Sequence, residues 1–319
     1  MPPPRGTGVV FVTGAGGFVG RHVASAFLRR GWRVAGFGHH APPADTALDL
    51  LSPQHWFIGP IGRDMLAHAA GEIAHPAIMV HAAGGATVGA SLADPAEDFA
   101  RNVESTRESL AFLRSHAPEA RFVFLSSAAV YGAVEDAAIV ESAPLAPVSP
   151  YGEHKRLAEE LIVEASAAWD LDAAIGRFFS VYGPGNRKQL FWDAASRLAA
   201  GARQLTLAGT GDETRDFLYV DDAVRMIGIL SGLERAAVPD VVNCGGGVAV
   251  TVREAVERLC SALDVEAEIV FTGVERTGDP KRLVSRPTLA NRLGFSPAIS
   301  LAEGLGRYAR WVRLSWKDG

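Results

Sequence analysis

Residues 8–38 read GVVFVTGAGGFVGRHVASAFLRRGWRVAGFG, and they restrict the fold more than any other stretch. Val9–Val12 is a short, mostly β-branched apolar run. Val19, Val23, Ala26 and Phe27 then recur at helical spacing, Gly31 stands where such a helix stops, and Val34–Phe37 starts a second strand. Strand, helix, strand at this length is a βαβ unit, and a βαβ unit demands a parallel sheet. Between the first strand and the helix, Gly14, Gly17 and Gly20 form G-x-x-G-x-x-G, with Gly16 as an extra. Glycine lets the chain leave the strand sharply, lets the backbone approach a pyrophosphate and lets the helix pack on the strand. The helix N-terminus adds free N–H groups. A strand before the pattern and a helix after it make dinucleotide binding the expectation, with Gly14, Gly17, Phe18 and Gly20 at the contact.

The end of the second strand bears on which dinucleotide. A carboxylate there would hold the adenosine ribose hydroxyls of NAD. The chain has Gly38 at that position, followed by His39 and His40. Glycine removes the repulsion an acid would exert on a 2′-phosphate, and histidine can hydrogen-bond that phosphate. The expected cofactor is therefore NAD or NADP, with a slight lean to NADP. Asp49 and Leu50 are candidates for the adenine.

The alternation continues with strands over 77–83, 121–127 and 173–179 and helices over 94–116 and 151–169. Asp94, Pro95 and Glu97 supply an N-cap, a first-turn proline and a capping box. Beyond residue 180 the pattern loosens. Strand-like 205–209 and 216–220 precede a helix from about Asp221 and another over 251–263, capped by Thr251 and Glu254. The expected fold is α/β: a Rossmann-type doubly wound parallel sheet with a smaller, interleaved C-terminal α/β substrate domain. Residues 1–178 plus about 217–244 would form the cofactor domain, and about 179–216 plus 245–319 the substrate domain.

Composition removes several function classes. A net charge of −5 leaves no basic footprint for nucleic acid. No apolar run approaches the ~18–20 residues of a membrane span, and the N-terminal stretch lacks a signal peptide's apolar core. A cytoplasmic protein without a membrane partner is expected. Cys244 and Cys260 have neither a disulfide framework nor metal-ligand spacing, so they read as reduced core cysteines and no metal is expected.

The chain has five tyrosines and four lysines, yet SPYGEHK, residues 149–155, sets Tyr151 and Lys155 at i and i+4 on one helix face. A free phenol is a poor base at neutral pH; a neighbouring ammonium and a positive nicotinamide would favour the phenolate. FLSSAAVYG, residues 124–132, adds Ser126 and Ser127 at a strand's carboxyl end, where ligands bind in such sheets.

Together these stretches resemble the extended short-chain dehydrogenase/reductase family, particularly its nucleotide-sugar epimerases, reductases and dehydratases. TGAGGFVG looks like the family's cofactor turn, SSAAVYG its serine motif and SPYGEHK its Tyr-Lys motif. RFFSVYGPGN, ETRDFLYVDDAV and ERTGDPKRL resemble its substrate-domain motifs. The resemblance implies Ser127, Tyr151 and Lys155 as the catalytic set. It implies further cofactor contacts at Ala82, Ala83, Asn102, Tyr151 and Lys155. A nucleoside-diphosphate sugar would meet Ser127, Ser180, Arg215 and Arg276, although Ser180 stands where similar motifs often carry asparagine. Asp216 and Asp279 would be structural partners. The family's 4,6-dehydratases carry an Asp-Glu pair after the serine or threonine; Ala128 and Ala129 occupy those positions, which disfavours elimination of water. The leading expectation is a homodimeric C4 epimerase. The alternative is an NADPH-dependent 4-keto-(6-deoxy)sugar-nucleotide reductase, and behind both stands a non-catalytic dinucleotide-binding protein.

Overall fold

The computed structural model describes residues 6–40, 48–85, 87–134, 138–237, 239–274 and 280–317. Seven parallel strands form its main sheet: β1 (Val9–Thr13), β2 (Arg33–Gly38), β3 (His55–Ile58), β4 (Ile78–His81), β5 (Arg121–Ser127), β6 (Ala173–Phe178) and β7 (Val241–Cys244). Their spatial order is β7-β6-β5-β4-β1-β2-β3. Side chains alternate between the two faces of a strand, so both faces must be apolar when both are covered. Val10 and Val12 pack against Val23 and Phe27 of α1 (Phe18–Leu28) on one face. Val9 and Phe11 pack against Leu66 of α2 (Arg63–Glu72) on the other.

Between β4 and β5 the chain forms α3 (Val88–Ala93), α4 (Pro95–Phe99), a π turn (Ala100–Glu104) and α5 (Ser105–His116). The sequence reads as a single helix here, and the difference has a local cause. Asp94 caps as expected, accepting the Glu97 amide at 3.0 Å. The box is not reciprocal, because the Asp94 amide bonds Ala90 O and the Glu97 carboxylate takes Arg101 Nε at 2.6 Å. In the widened turn, Ser105 Oγ and Thr106 Oγ1 donate to the carbonyls of Arg101 and Asn102 at 2.5 and 2.6 Å. Such turns recur at functional sites.

The long helix α6 (Pro150–Trp169) starts with Ser149 as its cap, Oγ accepting the Gly152 amide at 3.2 Å. A separate core joins Phe191 of α7 (Gln189–Ala199), Tyr219, Leu259 of α9 (Val252–Leu263) and Trp311 of the C-terminal helix (Leu301–Lys317). Helix α8 (Val220–Gly232), lying between α7 and α9 in sequence, returns to the main sheet and packs Met226 and Ile227 on the α1 face. The strand order reverses between the paired neighbours β1 and β4, which is where an open parallel sheet offers a crevice at its carboxyl edge.

Candidate functional site

The crevice is a cleft of about 1600 Å³. Gly14, Gly17, Phe18, Gly20, His39, His40, Ala82 and Ala83 line one part of it, and Ser127, Tyr151, Lys155, Ser180 and Arg215 line another. Asn102 is fully buried beside the cleft rather than on its wall. Asp49 is exposed and pairs at 3.1 Å with Arg29, the C-cap of α1, and neither it nor Leu50 is among the lining residues. Arg276 and Asp279 lie outside the described residues.

Sterics demand glycine at two positions of the turn. Gly14 has φ +68°, and a Cβ there would stand 2.7 Å from the backbone of Ala82 and Ala83. A Cβ on Gly20 would stand 2.1 Å from Gly14 O, so only glycine allows α1 to sit against the turn. Gly17 is the N-cap of α1 and carries no capping side chain, which leaves the first-turn amides facing the cleft. A Cβ on Gly16 or Gly38 would meet only ordinary contacts, 3.8–3.9 Å from His40 O. This floor of bare backbone at a helix N-terminus fits a dinucleotide pyrophosphate.

Helix α6 delivers the reactive side chains. Its first turn is held by Ser91, whose Oγ accepts the Tyr151 amide at 3.1 Å. Ser127 hydrogen-bonds the Tyr151 phenol, which favours the phenolate, but burial outweighs it and pushes the pKa up, with the Asp98 charge adding to the rise. The lowering expected from Lys155 is therefore not achieved by the protein alone. Lys155 is 4% exposed, donates to Leu125 O at 2.9 Å and lies 4.8 Å above the Phe124 ring. Burial lowers its pKa to about 8, against the pull of Asp98 and Glu159.

The two strand-end serines both border the cleft but have different partners. Ser126 is buried and donates to Glu159 at 2.5 Å, while Ser127 hydrogen-bonds the Tyr151 phenol. Glu159, one helical turn beyond Lys155, forms a buried ion pair with Arg177 at 2.6 Å. Arg177 also donates to the Tyr131 hydroxyl at 2.9 Å, and that hydroxyl donates to Asn243 at 2.7 Å. The i, i+4, i+8 spacing of Tyr151, Lys155 and Glu159 is a signal that the sequence reading passed over. Asp98 and His154, joined at 2.6 Å, had no such signal, since 56 residues separate them. Asp216 accepts the Gly246 and Gly247 amides at 2.8 and 2.9 Å and the Ser285 hydroxyl, a wholly structural arrangement.

The lean to NADP finds no support. His39 and His40 are exposed, and residues 39–50 contain two aspartates and neither arginine nor lysine to meet a 2′-phosphate. Comparison with known proteins points the same way. A solved UDP-glucuronic acid 4-epimerase from Bacillus cereus, in complex with UDP-glucuronic acid and NAD, superposes with a TM-score of 0.85 at 26% identity, over 96% of this chain and 99% of that one. A UDP-glucose 4-epimerase from Azospirillum brasilense is 32% identical over 97% of this chain and 91% of its own length. A dTDP-glucose 4,6-dehydratase from Streptomyces griseus is 30% identical over 96% and 95%. The family model described as "NAD dependent epimerase/dehydratase family" matches residues 10–245, the span that holds the glycine turn, the serine and the Tyr-Lys helix. By its fold, its cleft and this match, the chain belongs to the NAD-dependent epimerase/dehydratase family, within the extended short-chain dehydrogenase/reductase group.

Proposed function

We propose that the protein is a nucleotide-sugar 4-epimerase, which removes hydride and proton at C4 of a nucleoside-diphosphate hexose and returns the hydride to the other face. The observation that carries this reading is the meeting of Ser127, Tyr151 and Lys155 in the cleft floored by the glycine turn, with only methyl groups at Ala128 and Ala129. NAD, when bound, supplies the hydride acceptor and donor. Tyr151 takes the 4-hydroxyl proton at its phenolic oxygen and later gives it back. Ser127 orients the same substrate oxygen. Lys155 keeps a positive charge beside them, which Tyr151 needs because burial opposes its ionisation. Arg215 and Arg276 take the diphosphate side of the substrate, as arginine's fork suits.

Elimination of water is disfavoured. Each carboxylate lining the described cleft is engaged elsewhere: Glu97 with Arg101, Glu104 with Arg107, Asp193 with Arg197, and Glu213 with the Thr210 and Gly211 amides. The reductase reading rested on NADP and falls back with it. In this account residues 1–178 and about 217–244 carry the cofactor, the remainder carries the sugar nucleotide, and the enzyme works as a cytoplasmic homodimer. Denaturing fresh protein and identifying the released dinucleotide by mass spectrometry tests the reading. Near-stoichiometric NAD is expected; an empty protein that binds NADPH far better than NADH would overturn it.

A further inference from the structure

Three elements meet behind Lys155, and one buried pair ties them together. Asp98 of α4 is 4% exposed and His154 of α6 is 9% exposed. The His154 Nδ1–H donates to Asp98 Oδ2 at 2.6 Å. The same Oδ2 accepts Asn102 Nδ2 at 3.1 Å, and Asn102 Nδ2 also donates to Asp98 O at 2.9 Å. Both amide protons of Asn102 are thus committed, and its Oδ1 has only one way to point. Oδ1 is buried without a hydrogen-bond partner. It flanks the same small space above Gly84 as the Lys155 ammonium: a Cβ on Gly84 would stand 2.5 Å from Oδ1 and 3.0 Å from Nζ.

We propose that Asp98 and His154 are positioning residues for the catalytic turn: the pair pins α6 to α4, fixes the Asn102 amide toward Lys155, and supplies the negative charge that faces both Lys155 and Tyr151. The proposal rests on Tyr151 and Lys155 being the working pair. His154 holds the Asp98 carboxylate in the one rotamer that can serve Asn102. Asp98 then does what Glu159 does from the other side, keeping the proton on a lysine that burial would strip. The other groups facing this lysine are His81 of β4, which is buried and neutral, Tyr151 of α6, and Arg177 of β6 behind Glu159. Neutralising Asp98 removes an attraction for the lysine proton and a repulsion against the phenolate, so both groups should lose their protons at lower pH.

The test uses the whole protein with ε-carbon-labelled lysine. Four lysines give few signals, and Lys155→Arg assigns the one of interest. In Asp98→Asn the Lys155 titration is expected to move to lower pH, a readout that needs no sugar and stays valid if the epimerase reading fails. His154→Ala keeps the charge but frees the carboxylate, and roughly a 10-fold loss in kcat is expected with dinucleotide affinity retained. His154→Asn, whose amide can replace the Nδ1–H, should restore most of it. An unmoved Lys155 titration in Asp98→Asn would overturn the charge assignment. Equal kcat in His154→Ala, His154→Asn and the parent would overturn the positioning role, and this comparison stands even if Asp98→Asn does not fold.

Discussion

Gly14 leaves its neighbours no slack. With φ +68° and 2.7 Å to the Ala82 backbone, Gly14→Ala must shift the floor of the cleft, and dinucleotide binding measured by calorimetry should be lost. Tyr151→Phe removes one oxygen and leaves that floor alone. Turnover is expected to fall by roughly 10²–10⁴-fold while dinucleotide affinity is kept. Lys155 sets a pH limit. Its ammonium titrates at about 8, so kcat measured against pH should decline as the pH rises through that value. At this scale the sequence showed the chemistry but not the choice. Ser126 and Ser127 stand side by side, and only the pleat of β5 gives one to Glu159 and the other to Tyr151. Asp98 and His154 were invisible because their pairing depends on α4 lying across the start of α6, which no local spacing encodes.

Helix α6 works as a ladder of Tyr151, Lys155 and Glu159 on one face, the last rung anchored to β6 through Arg177. Glu159→Gln would leave a buried guanidinium without its counter-charge, and denaturant unfolding should show a loss of roughly 3–5 kcal/mol. Replacing both partners, Glu159→Leu with Arg177→Met, should return most of that stability, since an apolar pair avoids the desolvation cost. Elements with strong local signals were legible: α1 from its periodicity and Gly31, β5 at its full length, α9 from the Thr251 cap, whose Oγ1 accepts the Glu254 amide at 3.1 Å. The π turn was not, because Ala100–Glu104 has ordinary helix formers and its widening is held by hydroxyls of the following turn. Strands β3 and β7 were also missed; each has four residues and lies at an edge of the sheet, where its pairing comes from a neighbour and not from its own pattern.

Across the whole molecule, α1 is tied to the loop that follows β6. His22 Nε2 donates to Pro184 O at 2.9 Å, and Arg21 donates to Gly185 O at 3.3 Å. Burial lowers the His22 pKa to about 4 and that of His81 to about 3. Unfolded histidine takes up a proton near pH 6.5, so the unfolded state binds more protons on acidification and stability falls as pH drops below that value. Each of the two sites should cost on the order of 2 kcal/mol between pH 7 and pH 5, and His81→Gln should flatten the acid side of a stability curve. The parallel sheet was readable from the βα alternation, and the strand-like stretches 205–209 and 216–220 fall on Gln204–Leu207 and Phe217–Tyr219, whereas the strands of only two residues in the C-terminal half left no pattern to read. The central claim is that one hydride leaves C4 and returns to it. It is tested most directly by incubating the protein, with no added cofactor, with UDP-glucose and UDP-glucuronic acid deuterated at C4, and following the products by NMR. The account expects the C4 epimer of at least one of them with the deuterium still on C4. A 4-keto-6-deoxy product, or an epimer whose C4 deuterium has been lost, would contradict it.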